Sequence, residues 1–283
     1  MKERIIKMVG LDLDGTLLST KKELLPHTRK ILKKAMEQGV VVLVATGRPL
    51  SGIPRELLDF PGMRYVLTAN GARIIDQKQE KVIYENLVSV ETANRVLDIV
   101  EEYDTLQEVY FDGVGYGTRE ALERIEEFLP DPHMAKYIVA TRKPTESIRA
   151  LLNEVGRPTD KVQAIFSNLE ERAEAIRRIK EEVGGVSVTG TLETNVEVNA
   201  LGVNKGAGLL RLGELLGIRK DEIMACGDSY NDMDMIREAG FGVVMQNGND
   251  AVKALADYIT DTNDNEGVAQ AIERFVLKGG ATC

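Results

Sequence analysis

Tryptophan is absent from this sequence, cysteine and histidine occur twice each, and aromatic residues make up 5% of the chain. Long apolar runs are also missing, and without about 18 consecutive apolar residues there is no transmembrane helix. The two cysteines are Cys226 and Cys283. The second is the last residue given and a poor disulfide anchor, so a reducing, cytoplasmic compartment is the expectation. The opening "MKERIIKMVGLDLDGT" carries charges inside its apolar part and no small-residue cleavage site, so it is not expected to be a secretory signal. His27 and His133 neighbour none of the polar loops described below, which disfavours zinc; both are expected at the surface. Positive charge is in short supply too: 36 Lys and Arg face 45 Asp and Glu, a formal charge of −9. A nucleic-acid partner needs clustered Lys and Arg, which this balance does not offer. A small anionic ligand needs only local positive charge, and remains open.

What the chain does have is length and apolar content. Its 283 residues, 43% hydrophobic and 29% charged, suit a soluble globular protein of one large or two moderate domains. Short runs rich in Val and Ile read as strands: "IIKMVGLDL", "VVVLVAT" (40–46), "YVLTA" (65–69), "IMACGD" (223–228), "FGVVM" (241–245) and "YITD" (258–261). Between the first two, "PHTRKILKKAMEQG" places Ile31, Leu32, Ala35 and Met36 on one helical face. Near-continuous apolar strands separated by helices indicate a doubly wound parallel α/β sheet covered on both faces. After a hairpin in "NGARIIDQKQEKVIYE", residues 87–197 change character. Helical stretches ("ETANRVLDIVEEY", "TRKPTESIRALLNEVG", "LEERAEAIRRIKEE") alternate with strand-like ones ("QEVYFDG", "AKYIVA", "KVQAIFS", "GVSVTG"). The expectation is an inserted α+β domain at 87–197, with 1–86 and 198–283 forming the core. "GVGYG" (113–117) reads as a tight turn, and "GVNKGAG" (202–208) lacks the residue order of a P-loop.

In a doubly wound sheet, ligands bind beyond the carboxyl ends of the strands. Four polar loops fall there. Asp12 and Asp14 end the first strand; residues i and i+2 of a strand share a side, so both carboxylates can address one centre. A strand-ending turn, with Asp12 paired to a lysine, is the plainer alternative, though weak for two aspartates on an apolar strand. Thr46, followed by Gly47, either presents a hydroxyl and backbone N–H groups to an anion or simply caps a helix. Lys205 follows a candidate N-cap, Asn204, and a cation in the first helical turn opposes the helix dipole unless an anion offsets it. Asp228 ends the strand "IMA", with Asn231 and Asp232 in the next turn. Ser229 and Asp232 match a capping box, which gives Asp232 a structural reason of its own; Asp234 is expected to face solvent. Four clustered carboxylates need a cation, and oxygen-only ligands favour Mg²⁺. Cys226 lies inside an apolar strand as a small core residue, which leaves Asp12 as the candidate nucleophile.

"DLDGT", "ATGR", "NKG" and "GDSYND", in this order and with an insert after "NGA", resemble the haloacid dehalogenase (HAD) superfamily. "TANGA", "GVNKGAGLLRLGELLGI" and "TNDNEGVAQAIERF" look like its Cof-type sugar-phosphatase branch. The resemblance implies a Rossmann-like core with an inserted cap, acting as a Mg²⁺-dependent phosphatase of small phosphomonoesters through an aspartyl-phosphate. It makes Asp12 the nucleophile and Asp14 the general acid/base. The Asp12 carboxylate, the Asp14 carbonyl and Asp228 would hold Mg²⁺. The backbone at Leu13, Thr46 with Gly47, Lys205 and Asn231 would hold the phosphoryl group, with Asp232 supporting Lys205 or the metal. Gly10 stands where that family usually has a bulky residue, "GDSYND" replaces "GDGxND", and "VVMQNGND" leaves Asn247 without a role. A phosphomutase or phosphotransferase of the same fold and a non-catalytic sugar-phosphate sensor are the competing readings. A large stacked base is disfavoured as leaving group, no membrane partner is expected, and oligomeric state is not readable.

Overall fold

The computed structural model describes residues 5–277. They fold into two compact units, one comprising residues up to 46 together with 54–84 and the chain from 204 onward, the other 47–53 and 85–203. Cys283 lies outside the described residues. Among those described, no helix is long and apolar enough to cross a membrane.

The first unit is built on β1 (Met8–Leu11), β2 (Val41–Ala45), β3 (Tyr65–Thr68), β4 (Arg73–Asp76) and β5 (Lys81–Glu85). The second contributes β6 (Thr105–Phe111), β7 (Val114–Thr118), β8 (Arg142–Thr145), β9 (Val162–Phe166), β10 (Val186–Thr189) and β11 (Asn195–Ala200). The chain then returns to the first with β12 (Ile223–Gly227), β13 (Phe241–Met245) and β14 (Tyr258–Thr260).

The first sheet has eight strands in the order β14-β13-β12-β1-β2-β3-β4-β5. Every pair from β14 to β3 is parallel, and β3–β4 is antiparallel. The parallel strands β1, β12 and β13 are buried at every residue, as helices on both faces require. Helix Pro26–Glu37 buries Ile31, Leu32 and Ala35 as its spacing predicts. Helix Lys205–Leu216 packs so tightly that a Cβ on Gly10 would lie 2.8 Å from Leu209 Cδ1, which accounts for a glycine in the middle of β1. Strand order reverses between β1 and β12, so their carboxyl ends flank the switch-point crevice.

The second unit has six strands in the order β10-β11-β9-β6-β7-β8. It runs to Val203 because β11 pairs with β9 and β10, which keeps residues 198–200 in this sheet. Two readings of the sequence fail here. "AKYIVA" lies in helix Pro132–Thr141, not a strand. Asp131 caps it through the His133 N–H, Pro132 opens it, and Ala135 and Ile138 are buried while Val139 is 49% exposed, a helical spacing that so short and mostly apolar a stretch hides. Conversely, "TRKPTESIRALLNEVG" begins as β8 and turns helical only at Ile148, after the Ser147 cap. Pro144 keeps its first part extended. "GVGYG" is a turn only at Gly113, which follows Asp112, both at positive φ; its other residues belong to β7.

Candidate active site

The polar residues converge at the carboxyl ends of β1, β2, β3, β12 and β13. β1 ends at Leu11, three residues short of Asp14, so the strand does not carry both aspartates. The Asp12 N–H still reaches the Cys226 carbonyl at 3.0 Å, extending the parallel ladder by one bond. The chain then turns: Leu17 N–H bonds the Asp12 carbonyl and Leu18 N–H the Leu13 carbonyl, with Gly15 at φ +79°. The two carboxylates bond different lysines, although the Asp14 charge still acts on Asp228. Asp12 bonds the buried Lys205, and the half-buried Asp14 bonds Lys22 at 2.7 Å.

Lys205 is fully buried. Asn204 caps its helix by accepting from the Ala207 N–H at 2.7 Å, which fixes Lys205 in the first turn. Its ammonium lies 2.6 Å from Asp12 Oδ1 and 2.6 Å from Asp232 Oδ1. Burial works against the charge, but those two carboxylates outweigh it and hold the lysine above its ordinary pKa range. Asp232 is saturated: its Oδ2 accepts the N–H groups of Asp228 and Ser229, both at 2.9 Å. The capping role read from Ser229 and Asp232 is therefore present, in a single 3₁₀ turn, Tyr230–Asp232, that precedes the helix Met233–Glu238.

Burial pushes the Asp12 carboxyl well up against the pull of Lys205, and Asp232 and Asp228 add to the push. Asp228, half-buried beside Asp232, is pushed up to about 7 by desolvation and by that carboxylate, with a hydrogen bond from Thr16 pulling the other way. Three carboxylates thus surround one ammonium, leaving negative charge uncompensated in a dry place. Carboxylate oxygens of Asp12, Asp228 and Asp232 lie within 4.8 Å of one another. This donor set, all hard oxygen with excess charge, fits a divalent cation such as Mg²⁺. Because both Asp232 oxygens are already committed, the fit falls on Asp12 and Asp228.

Thr46 is buried, its N–H on the Leu67 carbonyl and its own carbonyl accepting from the Asn70 N–H at 3.0 Å. No helix starts there: a 3₁₀ turn begins only at Leu50 with Pro49 before it, so the helix-cap reading of Thr46 falls. Gly47 belongs to the second unit. Leu13 is buried, and Asn231 is 7% exposed with its amide on Asn70. Asp234 pairs with Arg237 at the surface; His27 and His133 are exposed. Cys226 is a buried core thiol pushed up to about 12 by desolvation, unsuited to be a nucleophile.

Residue spacing had not singled out Thr16, Lys22, Asn70 or Asn247. Thr16 and Lys22 hold Asp228 and Asp14. Asn247 donates to the Gly15 carbonyl at 2.8 Å and accepts from the Asn263 N–H, bracing the turn after Asp12. The departure "VVMQNGND" was the one signal pointing to it.

A family model described as haloacid dehalogenase-like hydrolase matches residues 9–272. The chain is 35% identical over 275 residues to the 5-amino-6-(5-phospho-D-ribitylamino)uracil phosphatase YcsE of Bacillus subtilis (strain 168), covering 96% of each. A haloacid dehalogenase-like hydrolase from B. subtilis superposes with a TM-score of 0.83 at 27% identity, over 96% of this chain and 100% of that one. The HAD subclass IIB sugar phosphatase BT4131 superposes with a TM-score of 0.80 at 25% identity, over 94% and 98%.

Proposed function

This chain belongs to the haloacid dehalogenase-like hydrolases, in their Cof-type branch, and is a phosphoric monoester hydrolase; we propose that it hydrolyses small phosphorylated sugars or sugar alcohols, with Mg²⁺, through an aspartyl-phosphate on Asp12. The observation that carries this is the buried Lys205 ammonium 2.6 Å from Asp12 Oδ1. It holds a desolvated carboxylate in one orientation and supplies a fixed positive charge where phosphoryl oxygens would gather. The sugar-like leaving group is supported by the ribityl phosphate in the name of one relative and the sugar-phosphatase title of another.

A carboxylate oxygen of Asp12 attacks phosphorus in line, forming an O–P bond as the bond to the leaving oxygen breaks. Asp14, protonated, gives its proton to that oxygen. Since Lys22 holds the Asp14 carboxylate, donation requires Asp14 to leave Lys22 and take up a proton from solvent before it faces the leaving group. Water then attacks phosphorus while Asp14 takes its proton, and the bond to Asp12 breaks to restore the carboxylate. The backbone at Leu13, Thr46 with Gly47, Lys205 and Asn231 hold the phosphoryl oxygens, and Asp232 holds Lys205. Asp12, Asp228 and the Asp14 carbonyl would hold Mg²⁺, whose charge would neutralise that of the phosphoryl group. Acid–base help accounts for about 10²–10⁴ of the acceleration. Most of the remainder falls to positioning and charge.

Residues 87–197 are assigned the recognition of the leaving group, and the reduced Cys226 suits a cytoplasmic setting. The test is Mg²⁺-dependent phosphate release across a panel of phosphomonoesters, repeated with Asp12→Asn. Wild-type turnover by a folded D12N protein would overturn the mechanism. Asp14→Asn should slow alkyl phosphates more than aryl ones, and equal losses would remove it from the leaving-group step. Isomer interconversion without phosphate release would instead favour a mutase.

A further inference from the structure

Residues 69–71 follow β3 directly, and all three take positive φ: Ala69 at 48°, Asn70 at 61° and Gly71 at 100°. This short turn reaches three separate parts of the site. The Asn70 N–H donates to the Thr46 carbonyl at 3.0 Å. Gly71 lies so close to the helix of Lys205 that an added Cβ would fall 2.5 Å from the Asn204 carbonyl oxygen. The Asn70 side-chain carbonyl accepts from Asn231 Nδ2 at 3.2 Å, although the two residues are 161 positions apart. Asn70 itself is buried.

We infer that Asn70 is a positioning residue, whose side-chain carbonyl fixes the Asn231 carboxamide so that its second Nδ2 hydrogen is offered to the transferring phosphoryl group. A carboxamide has one face that donates and one that accepts, and a half-turn exchanges them. Facing a phosphoryl oxygen, the donating face attracts and the accepting face repels. With Asn70 Oδ1 facing it, Asn231 takes the orientation in which Nδ2 points its way. In this orientation the Ser229 hydroxyl, which can donate or accept, lies 3.4 Å from Asn231 Oδ1 and is compatible with it. Asparagine is also the side chain best suited to the left-handed backbone here. The backbone bond to Thr46 and the contact at Asn204 then register the Asn70 carbonyl against the other phosphoryl-binding groups. This assignment rests on the phosphatase reading in which Asn231 touches the phosphoryl group.

The experiment is a double-mutant cycle of Asn70→Gly and Asn231→Ala, with p-nitrophenyl phosphate and Mg²⁺. Glycine keeps the left-handed turn and deletes the acceptor. Losing one preorganised donor costs about 10²–10³ in kcat, so N231A should fall by about that much. N70G should lose at least about tenfold in kcat, with KM changing less than about threefold and little change in melting temperature. In the N231A background N70G should cost less than about threefold further. Losses that multiply, or an unchanged kcat in N70G, would overturn the assignment; so would an N231A protein with undiminished kcat. Should N70G fail to fold, Asn70→Ala is read in the same cycle by the same criteria. Wild-type protein that releases no phosphate from any phosphomonoester would instead sink the phosphatase reading, and this inference with it.

Discussion

Thr16 donates its hydroxyl to Asp228 Oδ1 at 2.6 Å, joining the turn after β1 to the end of β12 across 212 positions of sequence. Thr16 is 1% exposed, so this bond forms away from bulk water. It fixes the rotamer of a carboxylate assigned to the metal. Outer-shell partners of this kind are worth about 10–100-fold in metal affinity. Thr16→Val should raise the Mg²⁺ concentration for half-maximal activity by that factor, and Thr16→Ser should restore most of it. Titrating activity with Mg²⁺ in the three proteins decides the matter.

Gly15 sits at φ +79°, and an added Cβ would fall 2.4 Å from Asp228 Oδ2. Gly15→Ala therefore combines backbone strain of about 1–2 kcal/mol with displacement of Asp228. Phosphatase activity should fall by more than about 100-fold, and the melting temperature by a few degrees. A variant with near wild-type turnover would show that Asp228 need not occupy its observed place.

Asp228 also sets a pH dependence. Burial, and next the Asp232 carboxylate, raise its folded pKa to about 7, above the ordinary aspartate value of about 3.9. A raised folded pKa means that this group's stabilising contribution is complete below about pH 3.9 and is lost as pH climbs through 7. Metal-free protein should thus melt at a lower temperature at pH 8 than at pH 5.5. Mg²⁺ binds the deprotonated carboxylate, so its stabilisation should be larger at pH 8. Asp228→Asn should flatten both trends in differential scanning measurements with and without a chelator.

Asn247 bridges the Gly15 carbonyl and the Asn263 N–H from an exposed position. Removing an exposed bridging side chain costs about 1 kcal/mol of stability or less. Asn247→Ala should therefore melt within a few degrees of the wild type while kcat falls several-fold, because the turn that carries Asp14 loses its brace. Parallel calorimetry and steady-state kinetics separate the two effects; a drop in stability without a kinetic change would make Asn247 a purely structural residue.

How much of this was legible in sequence follows from range. The apolar strands and the periodicity of helix 26–37 are local patterns, and the parallel sheet follows from their alternation. "AKYIVA" misled because a short, mostly apolar stretch fits a strand as well as a helix, and the deciding burial of Ala135 and Ile138 depends on their neighbours in the folded unit. In the site, Asp12, Lys205, Asp228, Asn231 and Asp232 stood out as polar residues at apolar element ends, and the fold gathers them. Thr16, Asn70 and Asn247 did not, since each looks like ordinary turn chemistry until its partner arrives from more than 150 positions away.

The aspartate pair shows where the division lies. Sequence alone determined that two carboxylates stand at the end of a buried strand, followed by a glycine free to take positive φ. It also determined that one lysine opens a capped helix elsewhere. Only the tertiary structure decided that Asp12 meets that lysine while Asp14 meets Lys22. The reason is that Gly15 reverses the chain before strand alternation can apply, and the energy of a buried charge depends on which partner the rest of the fold brings to it.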